Sequence, residues 1–89
     1  MTYFEISYTI HNAETDDYSK ILYKLNQLPI FSKVNTFNQH QTLVRVSCPR
    51  NTQLLAVKEA LQKAFKTFDK PIYFHISESL YNKFTDIHL

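Results

Sequence analysis

Two apolar periods alternate along this chain, and the order in which they follow one another constrains the fold more than any other feature. In residues 3–10, Phe4, Ile6, Tyr8 and Ile10 fall on one side, with Tyr3, Glu5, Ser7 and Thr9 on the other. Period two, rich in aromatic and β-branched residues, predicts a strand with one buried face. His11 to Glu14 make a polar connection, and Thr15 or Asp16 can cap a helix by accepting from a first-turn N–H. Tyr18, Ile21, Leu22, Leu25 and Leu28 follow at helical spacing until Pro29 stops the helix. Residues 31–37 predict an edge-like strand of broken alternation. Asn38-Gln39-His40-Gln41 turns the chain, and residues 42–48 resume alternation through Val44, Val46 and Cys48. Asn51 or Thr52 caps a second helix carrying Leu54, Val57, Leu61, Ala64, Phe65 and Phe68. After Pro71, Ile72, Phe74 and Ile76 alternate with Tyr73, His75 and Ser77 in a fourth strand.

The expected order is thus β-α-β-β-α-β. Right-handed crossovers then place both helices on one face of an antiparallel four-stranded sheet, the ferredoxin-like α+β arrangement. Residues 1–79 make that domain. Residues 80–89 form a tail whose Leu80, Tyr81, Phe84 and Ile87 are apolar enough to require docking on its own or a partner subunit. A fold of this kind hosts many unrelated functions, so activity has to be argued from sites.

Glycine is absent from the 89 residues. Glycine-rich phosphate loops depend on positive φ and close backbone approach, so the P-loop and the dinucleotide fingerprint are excluded. No cofactor is expected. Cys48 is the only cysteine, which rules out an internal disulfide framework. The opening residues show no basic region ahead of an apolar run, and no apolar stretch approaches the ~20 residues of a membrane span. These features lead to the expectation of a cytoplasmic chain with no membrane partner. A formal charge of +2 and a pI near 8.7 permit nucleic acid as a partner without pointing to it.

The helix-free face should carry Tyr3, Glu5, Ser7, Thr9, Leu43, Arg45, Ser47, Tyr73, His75 and Ser77. Aromatic and basic groups on such a face can stack bases, as RNA-recognition modules do. The basic-glycine-aromatic signature of those modules is missing, and solvated or subunit-contact positions explain the same residues. Lys63, Lys66 and Lys70 crowd the end of the second helix. They suit either a phosphate-contacting patch or a solvated helix end that complements the dipole. His11 with Asp16 is the weak candidate for a metal, although the paired spacings of zinc sites do not occur. Cys48 points inward by alternation, where a thiol behaves as a small apolar group rather than a nucleophile. No residue is assigned a catalytic role.

Tyr3-Phe4-Glu5-Ile6-Ser7-Tyr8-Thr9-Ile10 and the helix start Asp17-Tyr18-Ser19-Lys20-Ile21-Leu22 resemble the first strand and helix of Cas2-like proteins, ferredoxin-fold domains of CRISPR adaptation and related toxin-like groups. The resemblance implies a homodimer in which the C-terminal segment adds to the partner's sheet. Nuclease members of that family carry an aspartate after the strand's tyrosine, proposed to hold a metal. Here Thr9 follows Tyr8, and a hydroxyl lacks the carboxylate charge magnesium sites use. The expected function is therefore a small non-catalytic, homodimeric binding or assembly module acting on protein or nucleic acid. The alternative is a metal-dependent endoribonuclease of the Cas2-like kind. Contact residues are expected at Tyr3, Arg45, Tyr73, His75, Lys63, Lys66 and Lys70.

Overall fold

Strand β1 (Thr2–Ile10) is the centre of the molecule because it finds a partner on each side. β3 (His40–Cys48) pairs with it antiparallel, matching Phe4 with Val46 and Ile6 with Val44. β4 (Ile72–Glu78) pairs along its other edge, matching Ile6 with Ile76 and Tyr8 with Phe74. β2 (Lys33–Phe37) lies outside β3, and β5 (Lys83–His88) lies outside β4. The computed structural model describes residues 1–37, 40–78 and 83–89. The result is an α+β domain with a five-stranded antiparallel sheet in the order β2-β3-β1-β4-β5.

Even-numbered positions of the three central strands face one way and are buried: Phe4, Ile6, Tyr8, Ile10, Val44, Val46, Cys48, Ile72, Phe74 and Ile76. Helices α1 (Thr15–Gln27) and α2 (Leu54–Ala64) cover that side. They contribute Ile21 and Leu25, and Val57 and Leu61, with Phe65 following directly after α2. Phe65 sits 5.1 Å from Phe74 between ring centroids, locking helix to sheet. Each such side chain contributes roughly 1.5–3 kcal/mol on full burial, whereas an exposed ion pair contributes about 1 kcal/mol at most. The one-sided core therefore outweighs the surface charges in choosing this fold.

Two expectations need correction. The four-stranded sheet becomes five-stranded, because residues 83–88 are not a loose docking tail but a strand of the same sheet. Ile87 pairs with Phe74 and is buried with it, so the segment satisfies both its own apolar residue and the outer edge of β4. The tail thus packs on its own chain. Leu80 and Tyr81 lie outside the described residues, as do Asn38 and Gln39 of the expected turn. The helix caps also differ. Glu14 occupies the cap position of α1 and Gln53 that of α2, with neither Thr15 nor Asn51 in that role. Thr52 instead donates its hydroxyl to the Pro49 carbonyl at 2.6 Å.

The absent glycines are replaced by asparagine where the chain needs a left-handed residue. Asn12 (φ 55) leaves β1 and Asn51 (φ 69) precedes α2. Asparagine tolerates this region better than other residues bearing a Cβ.

Asp17 is a buried charge and explains how α1 is anchored. Its Oδ2 accepts the Glu14 backbone N–H at 2.8 Å and the Lys70 ammonium at 2.6 Å. Lys70 also donates to the Asn12 carbonyl at 3.1 Å, which ties the end of β1, the start of α1 and the approach to β4 together. The Glu14 N–H first, and Lys70 second, hold the Asp17 carboxyl below its ordinary value. A depressed carboxylate stabilises the fold fully above the unfolded value near pH ~4, and that stabilisation is lost as pH falls through the folded value. Asp17→Asn is expected to lower the melting temperature by several degrees at pH 7. The gap from the parent chain should close in acid, as followed by circular dichroism.

Candidate functional site

Because even residues of β1, β3 and β4 face the helices, their odd residues share the opposite face with the even residues of β5 that pair with them. No helix covers that face among the described residues, and cross-strand pairing arranges it in rows. Asn35, Arg45, Glu5, Ser77 and Phe84 form one row. Leu43, Ser7, His75 and Asp86 form the next, and Thr9, Tyr73 and His88 a third.

The β4–β5 side of this face is the most organised. Asp86 Oδ1 lies 2.6 Å from His75 Nδ1, and Tyr73 neighbours the same carboxylate. His75 first, then Tyr73, hold the Asp86 carboxyl below its ordinary value. The Asp86 carboxylate, an acceptor for the protonated phenol, pushes Tyr73 up, since losing its proton would place two negative charges together. Tyr73 and His88 lie ring beside ring, with centroids 4.7 Å apart and planes inclined at 32°. His75 and Phe84 form a second pair at 5.5 Å and 31°. Phe84 is 66% exposed, so its ring is presented to solvent rather than packed away.

Toward β3, Arg45 donates to Glu5 at 3.2 Å, and its guanidinium lies 5.9 Å from the Tyr3 ring centroid. Tyr3 is 42% exposed. A cleft of about 460 Å³ closes one end of the face, between Thr9, His11, Tyr73 and His88. A cleft of about 590 Å³ lies elsewhere, beside the start of α2 and Lys83. No pair of its lining side chains is hydrogen-bonded among the described residues.

The expected contact residues thus separate into two groups. Tyr3, Arg45, Tyr73 and His75 share the open face, with each aromatic ring beside a polar partner. Lys63 and Lys66 are exposed on the helix side of the molecule. Lys70 is engaged with Asp17 and Asn12, and stands within 3.7 Å of Glu14. Of the tail residues, Phe84 reaches the open face, while Ile87 is buried in its own core and is not free for a partner. Asp86 and His88 were not foreseen. Residues 83–88 do alternate, but Phe84 on one side and Ile87 on the other gave the segment apolar residues of both parities.

Chemically, this face suits binding better than turnover. Ser7, His75 and Asp86 stand side by side in one row, the residue types of a hydrolytic triad. Yet no hydrogen bond joins Ser7 to His75 among the described residues. Backbone N–H groups of the paired strands are engaged in ladders rather than aimed at a developing oxyanion. His11 is exposed in the turn after β1, and Asp16 lies 3.7 Å from Lys20 on the surface of α1. Among the described residues, no three His, Cys, Asp or Glu groups come together as a metal site. No helix among them is long and apolar enough to cross a membrane.

Asp86→Asn should move the Tyr73 titration down toward the ordinary phenol value, as read from its ring ¹³C shift against pH. Cys48 is fully buried, and burial pushes its thiol up to about 11. At pH 8 it should therefore resist a thiol reagent in the folded chain and react promptly in denaturant. Comparison with protein-family models, with curated proteins and with solved structures gives no match.

Proposed function

We propose that this chain is a small non-catalytic binding module, a homodimer of the ferredoxin-like and Cas2-like kind, whose contact surface is the open face of its sheet. The observation that carries the reading is the set of rings at Tyr73, His75, Phe84 and His88, arrayed around one carboxylate where no helix covers them. Side chains that serve only as solvated strand positions have no reason to be held in this way. Two helices packed on one side of strands ordered β2-β3-β1-β4 support the ferredoxin-like plan, with β5 added at the margin. The single buried cysteine is in keeping with a cytoplasmic setting.

β5 is the natural place for a second copy. Its outer edge pairs with no strand among the described residues, and an unpaired edge offers a ladder of donors and acceptors. The opposite edge, β2, is interrupted by a register shift at Thr36–Phe37 and carries exposed Lys33, features that discourage pairing. A dimer joined along β5 would keep both open faces accessible on one continuous surface. The partner class is protein or nucleic acid. The metal-dependent endoribonuclease reading finds no gathered ligand set around His11 and Asp16.

Sedimentation equilibrium at tens of micromolar chain is expected to show a reversible dimer. Hydrogen exchange should slow in β5 as concentration rises, and remain unchanged in β2. A chain that stays monomeric throughout contradicts the homodimer.

A further inference from the structure

β5 changes what the open face can bind, because it adds Phe84 and His88 beside Tyr73 and His75. We infer that the open face binds a short stretch of single-stranded nucleic acid, with unpaired bases stacked on the rings of Tyr73/His88, His75/Phe84 and Tyr3. This rests on the open face being the contact surface and names its ligand.

Three features select this occupant over a protein. Phe84 and Tyr3 are 66% and 42% exposed, so each leaves ring surface open on which a base can stack. Apart from the rings, the face is polar: Ser7, Thr9, Ser77 and Asn35 separate them, and Leu43 is the aliphatic member of the three rows. A protein interface places a continuous apolar core at its centre, which this face does not have. A nucleobase combines a π-face with hydrogen-bonding edges and fits an alternation of ring and hydroxyl.

Charge does not oppose this occupant. The acids on the face among the described residues are both occupied, Glu5 by Arg45 and Asp86 by His75. Exposed Lys33 and Arg45 flank the rings on the β2–β3 side. Rows two residues apart lie ~7 Å from each other along a strand, so successive ring rows can take successive bases of an extended chain. The cleft beside Tyr73 and His88 gives the last base a place to end. Few cations take part, so stacking rather than phosphate attraction carries the affinity.

The test uses the full chain and 5′-labelled oligonucleotides of about ten nucleotides, within the range one small domain spans, read by fluorescence anisotropy. Saturable binding is expected, tighter for oligoadenylate than for oligouridylate, and comparable for the ribo- and deoxyribo-adenylate strands. Phe84→Ala and Tyr73→Leu should each weaken it about fivefold or more, and Phe84→Trp should restore it. Because Phe84 is exposed, the alanine variant is expected to remain folded, with an unchanged melting curve as the check. Lys63→Ala with Lys66→Ala, on the far side, should leave binding unchanged. About two phosphate contacts imply only about a sevenfold loss between roughly 50 and 200 mM salt.

Absence of saturable binding overturns the inference. So does binding that ignores Phe84→Ala and vanishes with the Lys63 and Lys66 changes, or a strict preference for one sugar. Amide shifts of Tyr3 and Ser7, on the open face away from the β5 edge, separate this failure from that of the wider reading. If a rising concentration of the chain itself moves them and oligonucleotide does not, stacking is wrong and the open face belongs to a second copy. If neither moves them, the open face is not the contact surface and both fall.

Discussion

Everything in this domain depends on the parity of β1. Because that strand is paired on both edges, placing Phe4, Ile6, Tyr8 and Ile10 inward forces Val44, Val46, Ile72, Phe74 and Ile76 inward beside them. A slip of one residue on either side would send a whole apolar row into water. Burial at about 25 cal/mol per Å² makes such a slip far more costly than the loss of any surface pair. The same constraint produces the candidate site. Once the even residues are committed to the helices, Tyr3, Arg45, Tyr73 and His75 have nowhere to lie but together on the other side.

A second constraint acts at the helix end of β1. Asp17 is buried, and an ion in that position is tolerated only where its oxygens are bonded. Lys70 and the Glu14 N–H supply those bonds, which converts a residue that could have been an exposed cap into a clasp between distant segments. Asn12 and Asn51 show how a chain without glycine still turns sharply at the ends of its strands.

On the open face, Asp86 has the corresponding organising role. One carboxylate bonds His75 and neighbours Tyr73, and each of those rings lies beside another. The group is ordered but shallow, and its backbone neighbours are tied into ladders. Such a surface supplies little that would stabilise a transition state.

The sequence alone determined every element except β5, because period two and period 3.6 separate cleanly over residues such as 3–10, 18–28, 54–68 and 72–77. It also determined which residues of the first, third and fourth strands share a face, since parity needs no tertiary information. The inward aim of Cys48 followed from the same rule. Only the tertiary structure decided the fate of residues 83–88, because a six-residue segment with apolar groups of both parities declares its side only when β4 offers it an edge. It likewise decided that Lys70 faces Asp17 across 53 positions of sequence, and that Asp86 meets His75 and Tyr73. Contacts between residues on different elements are set by where the elements pack, and local pattern carries no record of that.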